Sequence, residues 1–224
     1  MRKDLYLNEI STIVEPMKHM KVPTFVVFSR SNNLSRIMFW IKSIRKERLF
    51  AVRSSSNNED QMNVSNAGKY QTFLNVTKEE LLNKIEKVFE TSEFVIVQEM
   101  IIDPDISGVA FIKDKCSSIN LSPGLCAGIT EGKVFSIKMN YLKDSFVEID
   151  MPPLILKTYM EEGELRFKEV QMKYVEVLDK YQDTIEKLFK FKKFFDFDMD
   201  IEFSIKNNIL YILQIRPIVN IEVK

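Results

Sequence analysis

The stretch that most constrains the fold is "DIEFSIKNNILYILQIRP", Asp200 to Pro217. Ile201, Phe203 and Ile205 alternate with polar residues, and Leu210 to Ile215 is apolar almost throughout. Alternation and β-branched content predict two strands. Asn207 and Asn208 between them tolerate the left-handed backbone of a tight turn. The hairpin is built for burial, yet it carries Asp200, Glu202, Gln214 and Arg216. Directly opposed residues in an antiparallel pair share a face, so the register decides which of these meet. A two-residue loop at Asn207-Asn208 pairs Lys206 with Ile209, sets Glu202 opposite Leu213 and turns Gln214 to the other face. Glu202 and Gln214 share a face only if the loop has three residues, Asn207 to Ile209, or if a bulge inserts one residue between them. In either case Arg216 falls opposite Asp200. Glutamate and glutamine together offer oxygen ligands suited to Mg²⁺, which prefers oxygen and keeps waters or phosphate oxygens in its shell. A charge ladder that keeps a sheet edge soluble fits the same residues.

Composition narrows the remaining choices. In 224 residues Lys+Arg and Asp+Glu are both 32, so the formal net charge is zero. That balance gives no electrostatic case for a nucleic-acid or membrane partner. No apolar run reaches the roughly 18 to 20 residues that span a bilayer, and the start, "MRKDLYLNEIS", lacks the apolar core of a signal peptide. A cytoplasmic protein is expected. Cys116 and Cys126 form neither a metal-ligand spacing nor a disulfide framework. The single histidine, His19, leaves little imidazole for chemistry and reads as structural.

Along the chain, residues 4–20 read as a helix, Thr24 to Phe28 as a strand and 31–47 as a helix with apolar residues spaced by three and four. A strand ending at Arg53, a polar loop and the strand "QTFLNV" follow, then a helix from Thr77 whose Glu80 has capping-box spacing. "EFVIVQEMI" and "GVAFIKD" read as strands, 116–150 as irregular strands and 157–195 as a mostly helical region interrupted at Gly163. The expected class is α+β, with a smaller lobe over 1–92 and a larger one over 93–224 that ends in the hairpin.

Three further segments carry candidate chemistry. In "AVRSSSNNED" the strand-end Arg53 presents a planar fork able to grip phosphate oxygens at two points, beside serine hydroxyls. An exposed arginine on a surface loop would look the same. In "FVIVQEM" a strand runs into Gln98, Glu99 and Met100, whose backbone could meet the edge of a flat base while Met100 packs on its face. A plain core strand fits equally. "SPGLCAGITEGKV" is glycine-rich but is not a P-loop.

Taken together, four segments resemble one family. "AVRSSSNNEDQMNVSNAGKYQTFLNV", "VIVQEMIIDPDISGVAFIKD", "GLCAGITEGKV" and "DIEFSIKNNILYILQIRPI" are similar to ordered motifs of the nucleotide-binding domain of phosphoenolpyruvate synthase and pyruvate phosphate dikinase. They span most of residues 50–218. The resemblance implies an ATP-grasp fold, two lobes around a nucleotide cleft, with ATP and Mg²⁺ as cofactors. It implies Glu202 and Gln214 as the metal ligands, Arg53 and Arg216 as catalytic contacts to the phosphates, and Gln98, Glu99 and Met100 beside adenine.

Family enzymes pass a phosphoryl group from ATP to a histidine on a separate domain and then to an acceptor. Such a histidine motif is absent from these residues, so the implied partners are phosphohistidine and acceptor domains of the same longer chain, and the chain alone is expected to be inactive. Pyruvate, rifamycins and the L-glutamine amide are acceptors in the family; the compact form suggests a glutamine-kinase-like member. Two departures stand out. The family's opening "GGK…L" motif is missing, with Lys18 and Lys21 as stand-ins, and Cys126-Ala127 closes the "GLGE"-like segment. A regulatory nucleotide-binding module that has lost turnover is the rival reading.

Overall fold

The computed structural model describes residues 2–55, 72–143 and 145–218. The polar loop expected after Ser55 lies largely outside them. The architecture is α+β, as expected. Helix α1 (Lys3–Val14) and the short strand β1 (Met20–Lys21) are followed by β2 (Phe25–Ser29), α2 (Leu34–Ser43), β3 (Phe50–Ser55), β4 (Thr72–Val76), α3 (Leu81–Thr91) and β5 (Phe94–Glu99). The second half contains β6 (Ile106–Ile112), β7 (Cys116–Pro123), α4 (Ala127–Thr130), β8 (Ile137–Leu142), β9 (Ser145–Asp150), β10 (Leu156–Glu161), β11 (Glu164–Glu169), α5 (Tyr174–Ile185), a 3-10 helix (Glu186–Lys193), β12 (Met199–Lys206) and β13 (Ile209–Pro217).

Two compact units result. One comprises residues up to Asn8 with Pro23–Ile102; the other comprises Glu9–Val22 with the described residues from Asp103 onward. The expected boundary at residue 92 therefore moves. β5 is hydrogen-bonded between β2 and β3, so it belongs to the first unit.

In the first unit a four-stranded sheet runs in the order β2-β5-β3-β4. Phe28, Phe50, Val52, Val95 and Val97 pack against Ile37 of α2 and Leu81, Ile85 and Val88 of α3. Burying such side chains contributes roughly 1.5–3 kcal/mol each. Asn33 caps α2 by accepting from the Ser35 N–H. The Glu80 carboxylate accepts from both the backbone and the hydroxyl of Thr77, as its spacing predicted. Those two bonds, the backbone one first, hold its pKa below the ordinary value. Helix α3 nevertheless begins only at Leu81, one turn after Thr77.

In the second unit a seven-stranded sheet runs β1-β13-β12-β6-β7-β8-β9. One face is apolar: Ile201, Phe203, Ile119, Leu121, Ile137 and Met139 are all buried. Tyr141, of the same parity as Met139, packs its ring 4.9 Å from Phe189 of the 3-10 helix, so helical structure covers this face. The opposite face carries Asp200, Glu202, Ser118, Asn120, Lys138 and Asn140, as strand alternation requires.

Two expectations are corrected. Residues 157–195 are not mainly helical: β10 and β11 form an antiparallel hairpin before α5 begins at Tyr174. Its turn is Glu162-Gly163, both at positive φ, and the Lys/Glu-rich run hides a period of two. Helix α1 ends at Val14 rather than near residue 20, and β1 follows, parallel to β13 at Met20–Leu210.

Candidate functional site

The final hairpin settles its register by the bulge. Asn207 and Asn208 sit at φ 52° and 60° in a two-residue turn, and Lys206 opposes Ile209. Both positive φ angles match the turn whose twist suits antiparallel strands. The Asp105 carboxylate accepts from the Asn207 N–H at 3.1 Å. From the turn the ladder runs regularly to Phe203–Ile212 and then shifts, so that Glu202 opposes Gln214 and Leu213 is the inserted residue. A bulge re-aims a side chain at the cost of one ladder step. Here it puts the carboxylate and the amide on one face.

The same shift sets Asp200 opposite Arg216. The Arg216 guanidinium donates through Nε and a terminal nitrogen to Asp200 Oδ2, each at 2.7 Å. Asp200 is buried, whereas the Arg216 side chain is 42% exposed. The guanidinium is thus aimed by a buried carboxylate while part of its side chain faces solvent. Gln214 is only 3% exposed and Glu202 is half-buried. This donor set contains oxygen only. Among the described residues no group of three or more His, Cys, Asp or Glu could hold a metal. Two protein oxygens suit Mg²⁺, which rarely takes an all-protein cage and completes its shell with waters and phosphate oxygens.

The first unit holds the other candidates. Arg53 opposes Ile96 and Gln98 opposes Ala51, so Arg53 and Gln98 lie on one face of the sheet. Gln98 is 2% exposed. Glu99 is on the other face, the one covered by α2 and α3, where its carboxylate meets Arg48 at 3.1 Å. The N–H groups of Glu99 and Met100 donate to Thr24 and Leu49 carbonyls, at 2.7 and 2.9 Å. They are therefore already committed and cannot also donate to a base. The Met100 sulfur lies 3.3 Å from the Asn75 nitrogen.

Reading the sequence missed the first turn of α1. Asp4 is buried; Arg2 holds it through two bonds of 3.0 Å, and the Ser55 hydroxyl donates to it at 2.8 Å. Arg2 also stacks 3.5 Å over the Phe94 ring, and Phe94 is the ladder partner of Ser55. The first turn of α1 is thereby anchored to Ser55, two residues beyond Arg53 and of the same parity on β3. Lys3 stands in that turn, four residues before Leu7. Lys21, by contrast, pairs at the sheet edge with Tyr211 in the second unit, and Lys18 is exposed before β1.

Comparison with known proteins supplies a family. The model for "Pyruvate phosphate dikinase, AMP/ATP-binding domain" matches residues 11–94 and 90–223. An uncharacterized phosphotransferase, YvkC, of Bacillus subtilis is 29% identical over 208 residues, covering 78% of this chain and 25% of that protein. Rifampicin phosphotransferase of Bacillus cereus is 28% identical over 245 aligned residues, covering 95% of this chain and 27% of that protein. The chain thus spans about a quarter of the length of these relatives. Among solved structures, the VanG D-Ala:D-Ser ligase of Enterococcus faecalis aligns with a TM-score of 0.49 at 13% identity, over 96% of this chain and 51% of that one. The D-alanine–D-alanine ligase of Bacillus anthracis complexed with ATP aligns with 0.46 at 13% identity, over 93% and 53%.

Proposed function

Because the chain belongs to the pyruvate phosphate dikinase AMP/ATP-binding domain family, we propose that it binds Mg-ATP and presents the terminal phosphoryl group for transfer. The observation that carries the reading is the bulge that sets Glu202 opposite Gln214. The hairpin gives up a regular ladder step there, and what it gains is a pair of oxygen donors on one face. Those two residues would hold Mg²⁺. There the ion would supply positive charge to offset the negative charge of the phosphates.

The remaining steps belong to the chain's own side chains. Arg216, oriented by Asp200, donates to phosphate oxygen. Arg53 grips phosphate with its planar fork, and Lys3 takes the part of the family's missing lysine motif. Gln98 contributes to the base end, while Glu99, held by Arg48, contributes through its backbone carbonyl. Catalysis in phosphoryl transfer is largely positioning and charge neutralisation, and this residue set supplies both. The acceptor we assign is a histidine on another domain, which relays the group to a final substrate such as an amide of the L-glutamine type.

Calorimetry on Arg53→Ala tests the phosphate assignment. ATP binding should weaken by about tenfold or more, as loss of a charged hydrogen bond predicts, while adenosine binding stays within about twofold because it has no phosphates to lose a partner. Equal weakening for both ligands would contradict the role given to Arg53.

A further inference from the structure

The polar face of the seven-stranded sheet continues beyond the Glu202–Gln214 pair. Glu202 opposes Val109 on β6, Val109 opposes Asn120 on β7, and Asn120 opposes Lys138 on β8. Directly opposed residues share a face, so Gln214, Glu202, Asn120 and Lys138 form one row across five strands. Lys138 stands three strand spacings from Glu202, about 14 Å between Cα positions. Both side chains rise from the same surface, and lysine carries its charge on a flexible four-carbon stem.

Three observations single out this lysine. It is exposed, whereas its flanking residues Ile137 and Met139 are buried on the helix-covered face. Among the described residues its side chain makes no hydrogen bond or ion pair, even though Asp150 opposes it on β9. Two neighbouring amides on this face are already engaged: Asn120 accepts from the Ser136 hydroxyl at 3.2 Å, and Asn140 donates to Glu148 at 2.8 Å. An ammonium left uncommitted on an open sheet face, in line with a pair of oxygen donors, is suited to an anion that bridges the interval.

The geometry points to Lys138 as a contact for the terminal phosphate of the nucleotide, on the side of the site from which that group departs. This rests on the Mg-ATP reading above and goes beyond it by giving β8 a part in binding. Glu202 and Gln214 lie at one end of the row, where the ion and the inner phosphates would sit. Lys138 lies towards the other end, so its charge falls on the outermost phosphate and on little else of the nucleotide. As a positive charge beside the departing group it would also favour the transition state, in which negative charge is spread over the equatorial oxygens.

The test is calorimetric titration of Mg-ATP and Mg-ADP into the wild-type chain, Lys138→Met and Lys138→Arg, with thermal melts as a fold check. Lys138→Met should weaken ATP by about tenfold, the scale of one charge-assisted hydrogen bond, and leave ADP within about twofold. Lys138→Arg should recover most of the loss. Wild-type binding of ATP with Lys138→Met unchanged, or with ATP and ADP weakened equally, overturns the assignment and leaves the Mg-ATP reading standing. A wild-type chain that binds neither nucleotide overturns both.

Discussion

Replacing Gly124 by alanine should cost the second unit roughly 4 kcal/mol or more, a loss large enough to need a specific steric cause. Gly124 directly follows β7 at φ +79°, a conformation that L side chains rarely adopt. A Cβ built there would lie 2.0 Å from the Thr158 carbonyl oxygen, and that contact is to backbone, which cannot swing aside. The same carbonyl accepts from the Leu125 N–H at 2.9 Å, so relieving the clash breaks the bridge between β7 and β10. Gly132 separates the two penalties. It too has positive φ, +64°, but nothing lies within 4 Å of its built Cβ. Gly132→Ala should therefore cost only about 1 kcal/mol, the strain of the backbone angle alone. Denaturant melts of both variants measure the difference. Similar losses would show that the close approach of β7 to β10 contributes little.

The second large effect concerns Glu202 and Gln214, the pair proposed to hold Mg²⁺. Glu202→Gln removes a charge with little change of shape, and Gln214→Met fills a similar volume at a buried site without an oxygen donor. Each should weaken Mg-ATP binding by about tenfold to a hundredfold, the range for interactions with charged groups. Combined, the two should cost little more than the worse single change, because residues that act through one shared ion are not additive. Fold losses that simply multiply in the double variant would mean that Glu202 and Gln214 do not act on the same ion. Melts guard against misreading a packing defect at Gln214, which is 3% exposed.

Much of the hairpin was legible because strand alternation is a strict parity rule. From the numbers of Glu202, Gln214, Asn207 and Asn208 alone, only a longer loop or a bulge could join the pair on one face, and the bulge is what forms. Which of the two occurs was not legible. That choice depends on how well two asparagines at positive φ fit a two-residue turn, and on the Asp105 carboxylate that accepts from Asn207, a contact 102 residues away in sequence. The same parity placed Gln98 and Glu99 on opposite faces, and it should have separated them as candidates.

The region 157–195 was misread for a different reason. Lys and Glu favour helix on propensity, and Glu162 gives no hint that it will adopt φ 52° at a turn. Pairing between β10 and β11 overrides that weak local preference. The first turn of α1 escaped notice because what marks it is tertiary: Asp4 reaches Ser55, 51 residues away. Family resemblance rested on strand-end motifs, which survive as short strings. The family's opening lysine motif has no such string here.

The central claim is that this chain is a Mg²⁺-dependent ATP site, and it is tested most directly by titrating ATP into the wild-type chain in excess Mg²⁺ and again in excess EDTA. The account predicts binding in both conditions, tighter by about tenfold or more with the ion present, since Mg²⁺ is held by one or two protein oxygens together with phosphates. Affinity for ATP that is the same with and without Mg²⁺, or no binding in either condition, would contradict it.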